Sequence, residues 1–377
     1  MEGTVKAVCT SSVKGVRKEP VKEACLIEDY GIEKDAHAGK WHRQVSLLSW
    51  EKVREFNRSG AGVSDGDFGE NLLVSGINFR TLPVGTRFLI CPAEKAVHSA
   101  ADSLTEKNVQ TAGNGRNCEA EETALAGGDG PAEEVVHAAA DGLTEETAHA
   151  TDLKNEEAVG GALLELTQIG KACHHSCEIR KRVGVCIMPT DGVFAKVVRG
   201  GMVKPGDRVR VLPPDPDRPY TAAVITLSDR AFSGIYEDRS GPKAAEVLKA
   251  AGYEVVETIL LPDDQSRLER ELGRLADQRQ VSLVLTTGGT GFSERDRTPE
   301  ATMAVADRNA QGIAEAIRVK SLAVTDHAML SRGVSVIRKK TLIVNLPGSV
   351  KAVQESLGFI LGALDHGLGI LRGTADN

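Results

Sequence analysis

The second half of the chain alternates apolar runs with amphipathic segments. Four runs, beginning at residues 222, 254, 281 and 341, contain few polar residues, which predicts strands buried on both faces of a parallel sheet. Between them, apolar residues recur at spacings of three and four, the period of a helix with one buried face. The predicted helices cover 241–252, 265–278 and 350–368. Repeated strand, crossover helix and strand predict a three-layer, doubly wound α/β domain.

The first half has a different rhythm, with short β-branched runs separated by turn residues. This pattern predicts a small, mostly β, barrel-like domain, so the fold class of the whole chain is mixed. The six runs are 3–10, 43–50, 71–77, 85–90, 162–169 and 206–213. Between the halves, the prolines of PPDPDRP at 213–219 predict an extended linker. We therefore expect domains at 1–212 and 220–377.

Residues 93–160 interrupt the first domain with a different composition. The segment is rich in Ala, Glu, Gly and Thr and poor in large apolar residues, so burial can hardly offset its ordering entropy. Within it, VHSAADSLTE at 97–106 recurs as VHAAADGLTE at 136–145, but two copies fall short of the roughly three that a solenoid needs. A low-complexity acidic insertion is favoured over a folded binding module.

Composition and charge limit the function classes. The formal net charge is −7, yet residues 93–160 hold 15 acidic and 4 basic side chains, so the rest of the chain is mildly basic. That charge suits anionic small molecules and is too dispersed for nucleic acid. We expect a cytoplasmic protein without membrane contact, since no apolar run approaches the roughly 18 residues of a span and the N-terminus lacks a secretion signal. The seven cysteines are expected to be reduced.

Polar residues follow each of the four predicted strands of the C-terminal domain. Right-handed crossovers bring these turns to one edge of the sheet, where open α/β folds bind ligands. The loop at 286–291 leads through Asp296 to a helix start, with Thr298 as a candidate cap, Pro299 in the first turn and Glu300 near the positive end of the helix dipole. The edge residues are Ser228, Asp229, Asp263, Asp264, Thr287, Gly288, Gly289, Thr290, Gly291, Asp296 and Ser349.

This set of residues indicates phosphate chemistry. Glycines let backbone amides approach an anion, and carboxylates beside a phosphate usually share a divalent metal with it. We therefore predict a phosphate ester or nucleotide bound with Mg²⁺. No lysine occupies the Walker position and no GxGxxG follows a strand, which excludes a P-loop NTPase and a dinucleotide site. Each signal has a structural alternative: a GGTG turn can simply need positive φ, and Asp263 or Asp264 can cap a helix.

Four motifs of the C-terminal half carry a resemblance to a known family. They are TLSDRAFSGIYEDRSGP, LLPDDQ, TTGGTGFSERDRTPEAT and LSRGVSVIRKKTLIVNLPGS, in that order. Through them, residues 220–377 resemble the molybdopterin adenylyltransferases, which are related to the G-domain of gephyrin. The resemblance implies that molybdopterin and Mg-ATP are the substrates, that AMP passes to the terminal phosphate of the pterin, and that pyrophosphate is released. It also implies a homotrimer.

The same resemblance implies roles for individual residues. Asp296 is expected to position the pterin phosphate and the metal, and Asp263 to hold Mg²⁺ on the ATP phosphates, so both are candidate catalytic residues. Val350 stands where the family usually has proline, and we expect a slightly looser turn there. The implied substrate-binding residues are Ser228, Asp229, Thr287, Gly288, Gly289, Thr290, Gly291 and Ser349.

The N-terminal half concentrates thiols and imidazoles in the segment QIGKACHHSCEIRKRVGVCIMP. Cys173 and Cys177, beside His174 and His175, have the spacing of half a zinc site, but no second ligand pair lies at a matching distance, so a structural metal is not favoured. Cys186 is flanked by apolar residues, which favours a buried, inert thiol. The alternative is a thiolate stabilised by the basic residues at 180–182.

Further motifs of this half favour a functional role for Cys186 over an inert thiol. They are SVKGVRKEPV, GIEKDAHAGKWHRQVSLLSWE, FGENLLVSGI and CIMP. Through them, residues 1–92 and 161–212 resemble the MOSC domain, a β-rich module named for part of molybdenum-cofactor sulfurase. The resemblance implies cofactor binding and sulfur carried on Cys186. It also implies an anion pocket, for which polar surface loops are the alternative. The implied pocket residues are His37, His42, Arg43 and Gln44.

The leading hypothesis is a bifunctional enzyme of molybdenum-cofactor biosynthesis. Its C-terminal domain adenylylates the pterin, and its N-terminal domain binds the cofactor or handles sulfur. Molybdenum-insertion or sulfur-donor proteins are the expected partners. The alternative is a non-catalytic carrier or scaffold for the same ligands, which has less need of two carboxylates beside bound phosphates. A third hypothesis confines the N-terminal domain to a structural or sensing role.

Overall fold

A computed structural model describes residues 1–58, 60–93, 161–171 and 186–375. The chain divides into two compact units. The first comprises Met1–Arg80, Arg87–Leu166 and Cys173–Leu212, and the second comprises Thr81–Thr86, Thr167–Ala172 and Pro213–Asn377. Residues 94–160 of the predicted insertion, with its repeat, and the cysteine and histidine cluster at 173–177 lie outside the described residues.

Among the described residues, seven N-terminal strands close into a barrel. The strands of this half are β1 (Glu2–Thr10), β2 (Glu19–Val21), β3 (Ala24–Ile27), β4 (Gly31–Ile32), β5 (Val45–Ser49), β6 (Leu72–Ser75), β7 (Arg87–Cys91), β8 (Ala162–Ile169), β9 (Val193–Arg199), β10 (Gly201–Val203) and β11 (Arg208–Leu212). The barrel order is β1, β11, β7, β8, β9, β5 and β6, and it closes because β6 and β11 both pair with β1. The predicted barrel-like domain is confirmed: all six predicted runs contain strands.

Helix α1 (Trp50–Arg58) follows β5 directly and covers one side of the barrel core. Its Val53 packs in a buried cluster with Leu48, Phe68 and Met188. Cys186 is half-buried against the same cluster. The apolar neighbours predicted for this cysteine are therefore present.

The second unit contains a six-stranded sheet. Its strands are β12 (Thr221–Leu227), β13 (Glu254–Leu261), β14 (Leu283–Thr287), β15 (Arg308–Asn309), β16 (Ser335–Arg338) and β17 (Thr341–Leu346). The order is β13, β12, β14, β17, β16, β15, and the first three pairings are parallel. The four predicted parallel strands are confirmed. The antiparallel strands β15 and β16 are not predicted, because two- and four-residue strands at a sheet edge give too short a pattern.

Helices cover both faces of this sheet. They are α2 (Asp229–Phe232), α3 (Ser240–Ala250), α4 (Gln265–Asp277), α5 (Thr298–Ala304), α6 (Gln311–Leu322) and α7 (Val350–Arg372). Helices α3, α6 and α7 bury residues in one apolar cluster with Val224, whereas α4 and α5 do so in a second cluster with Ile225. Adjacent strand residues point to opposite faces, so the two clusters are the two cores of a three-layer fold. The doubly wound prediction is confirmed.

The structure tests the expectation that the cysteines are reduced and the expectation that no segment spans a membrane. Among the described residues, Cys9, Cys91 and Cys186 form no disulfide. Cys25 is disulfide-bonded, so the expectation that every cysteine is reduced is wrong. An odd cysteine count carries no information about which sulfurs the fold brings together. No helix in the described part of the chain combines the length and the apolar content needed to cross a membrane.

Candidate active site

A cleft of about 490 Å³ lies at the carboxyl ends of β12, β13, β14 and β17. The chain passes from β12 to β13 on one side and later returns to β14 on the other, which makes this edge the topological switch point where open α/β sheets bind ligands. The described residues that line the cleft are Thr226, Leu227, Ser228, Tyr236, Glu237, Asp238, Arg239, Ser240, Asp263, Thr287, Gly288, Gly289, Asp296, Gly348, Ser349 and Val350.

Two aspartates connect the loops that follow β12 and β13. The Asp229 amide donates to Asp263 Oδ2 over 2.9 Å, and the Asp263 amide donates to Asp229 Oδ1 over 3.0 Å. Arg295 then binds both Asp229 carboxylate oxygens, with its Nε and one terminal nitrogen each at 2.9 Å. Asp229 therefore supports Asp263 beside the cleft and does not itself line it.

The surroundings of Asp263 favour the protonated, neutral form of its carboxyl group. Burial, and then the negative charges of Asp229 and Asp296, raise the pKa of Asp263 above its ordinary value, against the hydrogen bond from the Asp229 amide. A cation bound between Asp263 and Asp296 would relieve this repulsion.

The predicted glycine turn follows β14 and lies between these carboxylates. Gly288 and Gly289 have φ of +95° and +62°, and a Cβ on Gly288 would lie 2.3 Å from the Leu227 carbonyl oxygen. A Cβ on Gly289 would lie 3.5 Å from Asp263 Oδ1, and one on Gly291 would lie 2.8 Å from Asp296 Oδ2. Both carboxylates thus lie close to the turn. The structural and the ligand-binding interpretations of the glycines are compatible, because the same conformation serves both.

Asp296 lies in the loop between the glycine turn and α5. Its Oδ2 accepts a hydrogen bond from the Ser293 amide over 3.1 Å. Helix α5 begins at Thr298 with Pro299 in its first turn, as predicted, but the Thr298 side chain does not cap the helix. Its hydroxyl donates to the Gly288 carbonyl oxygen over 3.0 Å, and so ties the helix start to the glycine turn. Sequence spacing cannot reveal this contact, because it joins residues on opposite sides of a loop.

The predicted serines line the cleft and also cap helices. Ser228 Oγ accepts from the Ala231 amide at the start of α2, and Ser349 Oγ accepts from the Ala352 amide at the start of α7. Asp264 caps α4 by accepting from the Arg267 amide, which is the structural alternative considered for this aspartate. Asp263 does not cap α4: its Oδ2 accepts from the amide of Asp229, the first residue of α2, and the residue lines the cleft.

The structure brings together most, but not all, of the predicted site. Seven predicted residues line the cleft: Ser228, Asp263, Thr287, Gly288, Gly289, Asp296 and Ser349. Three others, Asp229, Thr290 and Gly291, are next to lining residues and are not themselves lining. Thr290 is buried, and the Gly291 carbonyl oxygen accepts from Arg332 Nε over 2.7 Å.

Sequence reasoning missed the segment Tyr236–Ser240 of the cleft. The Tyr236 hydroxyl lies 2.8 Å from Ser228 Oγ. Asp238 Oδ1 accepts from the Ser240 amide, the Ser240 hydroxyl and the Gly241 amide, and thereby organises the start of α3. The sequence signal that could have revealed this segment is an aspartate two residues before a Ser-Gly helix start. In a sequence, this pattern looks like an ordinary helix cap.

The residues predicted to form an anion pocket in the N-terminal domain mostly contact other parts of that domain. Gln44 is buried: its Oε1 accepts from the Val197 amide over 2.8 Å and its Nε2 donates to Asp29 Oδ1 over 3.2 Å. The Arg43 guanidinium lies 4.8 Å from the Trp41 ring centre. His37 and His42 are half-buried. Both polar atoms of the Gln44 side chain therefore form hydrogen bonds within the domain. The predicted anion pocket depends on the other three residues.

A buried ion pair lies beside His37. Lys18 Nζ contacts both Asp35 carboxylate oxygens, at 2.7 and 2.6 Å, and both side chains are almost fully buried. Burial alone would raise the pKa of Asp35, but His37 and the Lys18 ammonium lower it below its ordinary value. His37 Nδ1 is 3.6 Å from Asp35 Oδ1. The pair fixes the loop that presents His37.

Both halves of the chain are similar to known protein families. The sequence profile described as "probable molybdopterin binding domain" matches residues 223–366, and that of the MOSC domain matches 34–121. Molybdopterin adenylyltransferase of Escherichia coli is 48% identical over 137 residues, which are 36% of this chain and 70% of that protein. Gephyrin of Dictyostelium discoideum is 38% identical over 163 residues, 41% of this chain and 23% of that protein. The molybdopterin biosynthesis enzyme MoaB of Thermus thermophilus, a solved structure, is 41% identical over 41% of this chain and 98% of its own, with a TM-score of 0.40.

An α/β domain with a cleft at its switch point has the architecture of a ligand-binding domain of the open-sheet class. Through this domain the chain belongs to the molybdopterin adenylyltransferase family. It also contains a MOSC domain.

Proposed function

We propose that the C-terminal domain transfers AMP from Mg-ATP to the terminal phosphate of molybdopterin. A pterin phosphate oxygen attacks the α-phosphorus of ATP, and the bond to the departing pyrophosphate breaks. The observation that carries the proposal is the convergence of Asp263 and Asp296 on one glycine turn, in a cleft of a member of this family.

The carboxylates fit a magnesium ion held jointly with substrate phosphates. No group of three or more His, Cys, Asp or Glu side chains in the described residues is arranged to hold a metal by itself. Mg²⁺ commonly binds through one or two carboxylates and completes its shell with phosphates and water. Asp263 and Asp296 supply that number. When bound, the ion would neutralise phosphate charge.

The protein contributes alignment and charge compensation to this reaction. The backbone amide of Gly289 would approach the pterin-side phosphate, since no Cβ blocks it. The Gly288 amide donates instead to the Leu346 carbonyl oxygen over 3.4 Å. Arg239 lines the same cleft and offers positive charge to the polyphosphate. Phosphoryl and nucleotidyl transfer need little covalent help from the protein, so holding the attacking and leaving oxygens in line supplies most of the rate enhancement.

The direct test is product formation by the full-length chain. Purified protein given molybdopterin and Mg-ATP is expected to yield adenylylated pterin by mass spectrometry, and Asp263→Asn should abolish it. Asp264→Asn is the matched control, because asparagine remains a good helix cap and Asp264 is not a cleft residue. Tight pterin binding without any AMP transfer by the wild type would instead favour a carrier.

For the N-terminal domain we propose cofactor binding with sulfur carried on Cys186. The half-buried position of Cys186, in the unit that contains the MOSC match, supports this role. Cys186→Ser is the discriminating variant, and Cys91→Ser, at a second half-buried cysteine, is its control. Unchanged sulfur content of the bound cofactor in Cys186→Ser would leave the domain with a structural or sensing role.

A further inference from the structure

Arg332 makes hydrogen bonds along the whole loop that carries Asp296. Its amide donates to the Thr290 carbonyl oxygen over 3.0 Å, and its Nε donates to the Gly291 carbonyl oxygen over 2.7 Å. Its two terminal nitrogens donate to the Asp296 carbonyl oxygen and to Glu300 Oε1. One residue therefore connects the start of the loop, the candidate catalytic aspartate and the first turn of α5.

Core packing contributes little to holding this loop. Residues 292–295 are exposed, and the Phe292 side chain is 71% exposed. By contrast, the segment that carries Arg332 is well anchored. Arg318 donates to the carbonyl oxygens of Ser331 and Gly333, one on each side of Arg332, over 3.0 and 3.1 Å. Arg332 thus links an exposed loop to a fixed part of the domain.

We propose that Arg332 is a positioning residue that holds Asp296 in place in the cleft, a role that rests on the proposed adenylyl transfer. Its planar guanidinium directs three donors at three acceptors that lie around it. Lysine keeps the charge but has a single flexible nitrogen, so it cannot satisfy the same three acceptors in a fixed geometry. A reaction that depends on alignment is sensitive to displacements of about 1 Å, which can cost roughly a hundredfold in rate.

The test compares Arg332→Lys with Arg338→Lys in the full chain. Arg338 is a matched control, because it is also half-buried and donates to a carboxylate, Asp277, and to a carbonyl oxygen, that of Val305. None of its partners lines the cleft. With molybdopterin and Mg-ATP, we expect Arg332→Lys to lower kcat by about tenfold to a hundredfold while KM for ATP stays within about threefold. Arg338→Lys should keep the wild-type kcat.

Hydrogen exchange of the amides at 291–297 provides a readout that does not depend on turnover. It should be faster in Arg332→Lys than in the wild type and in Arg338→Lys. A wild type that releases no pyrophosphate contradicts the proposed function, whereas unchanged exchange in Arg332→Lys contradicts the positioning role alone. A folded Arg332→Lys with wild-type kcat, or with a change in KM only, also overturns the inference.

A second variant keeps the proposal testable if Arg332→Lys does not fold. Glu300→Gln retains a hydrogen-bond acceptor for the guanidinium and removes its charge, so the link to Arg332 weakens without being lost. We expect a smaller loss of kcat and faster exchange at 291–297. Wild-type values of both in Glu300→Gln would count against Arg332 as the residue that positions Asp296.

Discussion

Asp229 and Asp263 each donate a backbone amide to the carboxylate of the other, over 2.9 and 3.0 Å. Because they follow neighbouring parallel strands, the exchange fixes the ends of β12 and β13 relative to one another. One oxygen of Asp263 is used in this way, and the other lies near Gly289 in the cleft. The carboxylate proposed to hold magnesium is thus oriented by a residue that does not line the cleft.

Replacing Asp229 with alanine should therefore slow adenylyl transfer without unfolding the domain. The change keeps the Asp229 amide that donates to Asp263 Oδ2, but it removes the acceptor for the Asp263 amide and for Arg295, so the backbone that carries the Asp263 carboxylate is held less firmly. We expect kcat for pyrophosphate release to fall about tenfold. Asp229→Asn keeps one acceptor oxygen and should lose less. Equal rates in the wild type and in Asp229→Ala would show that Asp263 is oriented by other contacts.

Replacing glycine with alanine should change the unfolding free energy in opposite directions at two positions of the C-terminal domain. At Gly289, φ is +62° and a Cβ would lie 2.4 Å from Thr298 Oγ1, so alanine should cost about 1–3 kcal/mol of unfolding free energy and most of the activity. At Gly273, inside α4, a Cβ would meet no atom of another part of the chain within 4 Å. Alanine should therefore raise the unfolding free energy by up to about 1 kcal/mol. Urea unfolding followed by circular dichroism measures both. Shifts of the same sign would rule out the steric explanation of the turn.

Loss of Lys18 should destabilise the N-terminal barrel strongly. Lys18→Met leaves the Asp35 carboxylate buried without its cation, which typically costs about 3–5 kcal/mol. Adding Asp35→Asn removes the stranded charge and should recover part of that loss. Tryptophan fluorescence during urea unfolding reports on this domain alone, because both tryptophans, Trp41 and Trp50, belong to it. A double variant no more stable than Lys18→Met would contradict this interpretation.

The barrel should also lose stability as the pH rises from 4.5 to 7. Burial raises the pKa of Glu70 to about 7 from 4.5, although backbone amides of Gly66 and Phe68 donate to it. The folded state therefore keeps its proton in a range where the unfolded state has released it, so rising pH favours unfolding. The change is on the order of 3 kcal/mol. The same fluorescence experiment on Glu70→Gln should give a flatter profile; parallel profiles would assign the pH dependence to other groups.

The fold could be predicted because its main elements have long, regular patterns. The strand at 341–346 and the helix at 265–277 follow directly from apolar spacing, and their connections bring the four loops to one edge. The barrel was predicted from turn-bounded runs, although β9 was not among them. The pair β15 and β16 is too short to produce a recognisable pattern.

The site could be predicted only where a residue's role follows from its position after a strand. Asp263 and Asp296 are such residues. Thr298 was misinterpreted as a cap, because its contact with Gly288 crosses a loop. Asp229 and Arg332 act through hydrogen bonds to partners distant in the sequence, which no spacing rule detects. Asp229 was predicted as a cleft residue and not as a support for Asp263, and Arg332 was not predicted at all.

The most direct measurement is pyrophosphate release from Mg-ATP by the intact chain, with and without molybdopterin, for the wild type and Asp296→Asn. Asparagine can still accept from the Ser293 amide, so the loop should keep its shape while the cleft loses one negative charge. We predict release that requires the pterin and falls at least about a hundredfold in the variant. Pterin-dependent release that is unchanged in a folded Asp296→Asn, or no release from a pterin-binding wild type, would contradict the account.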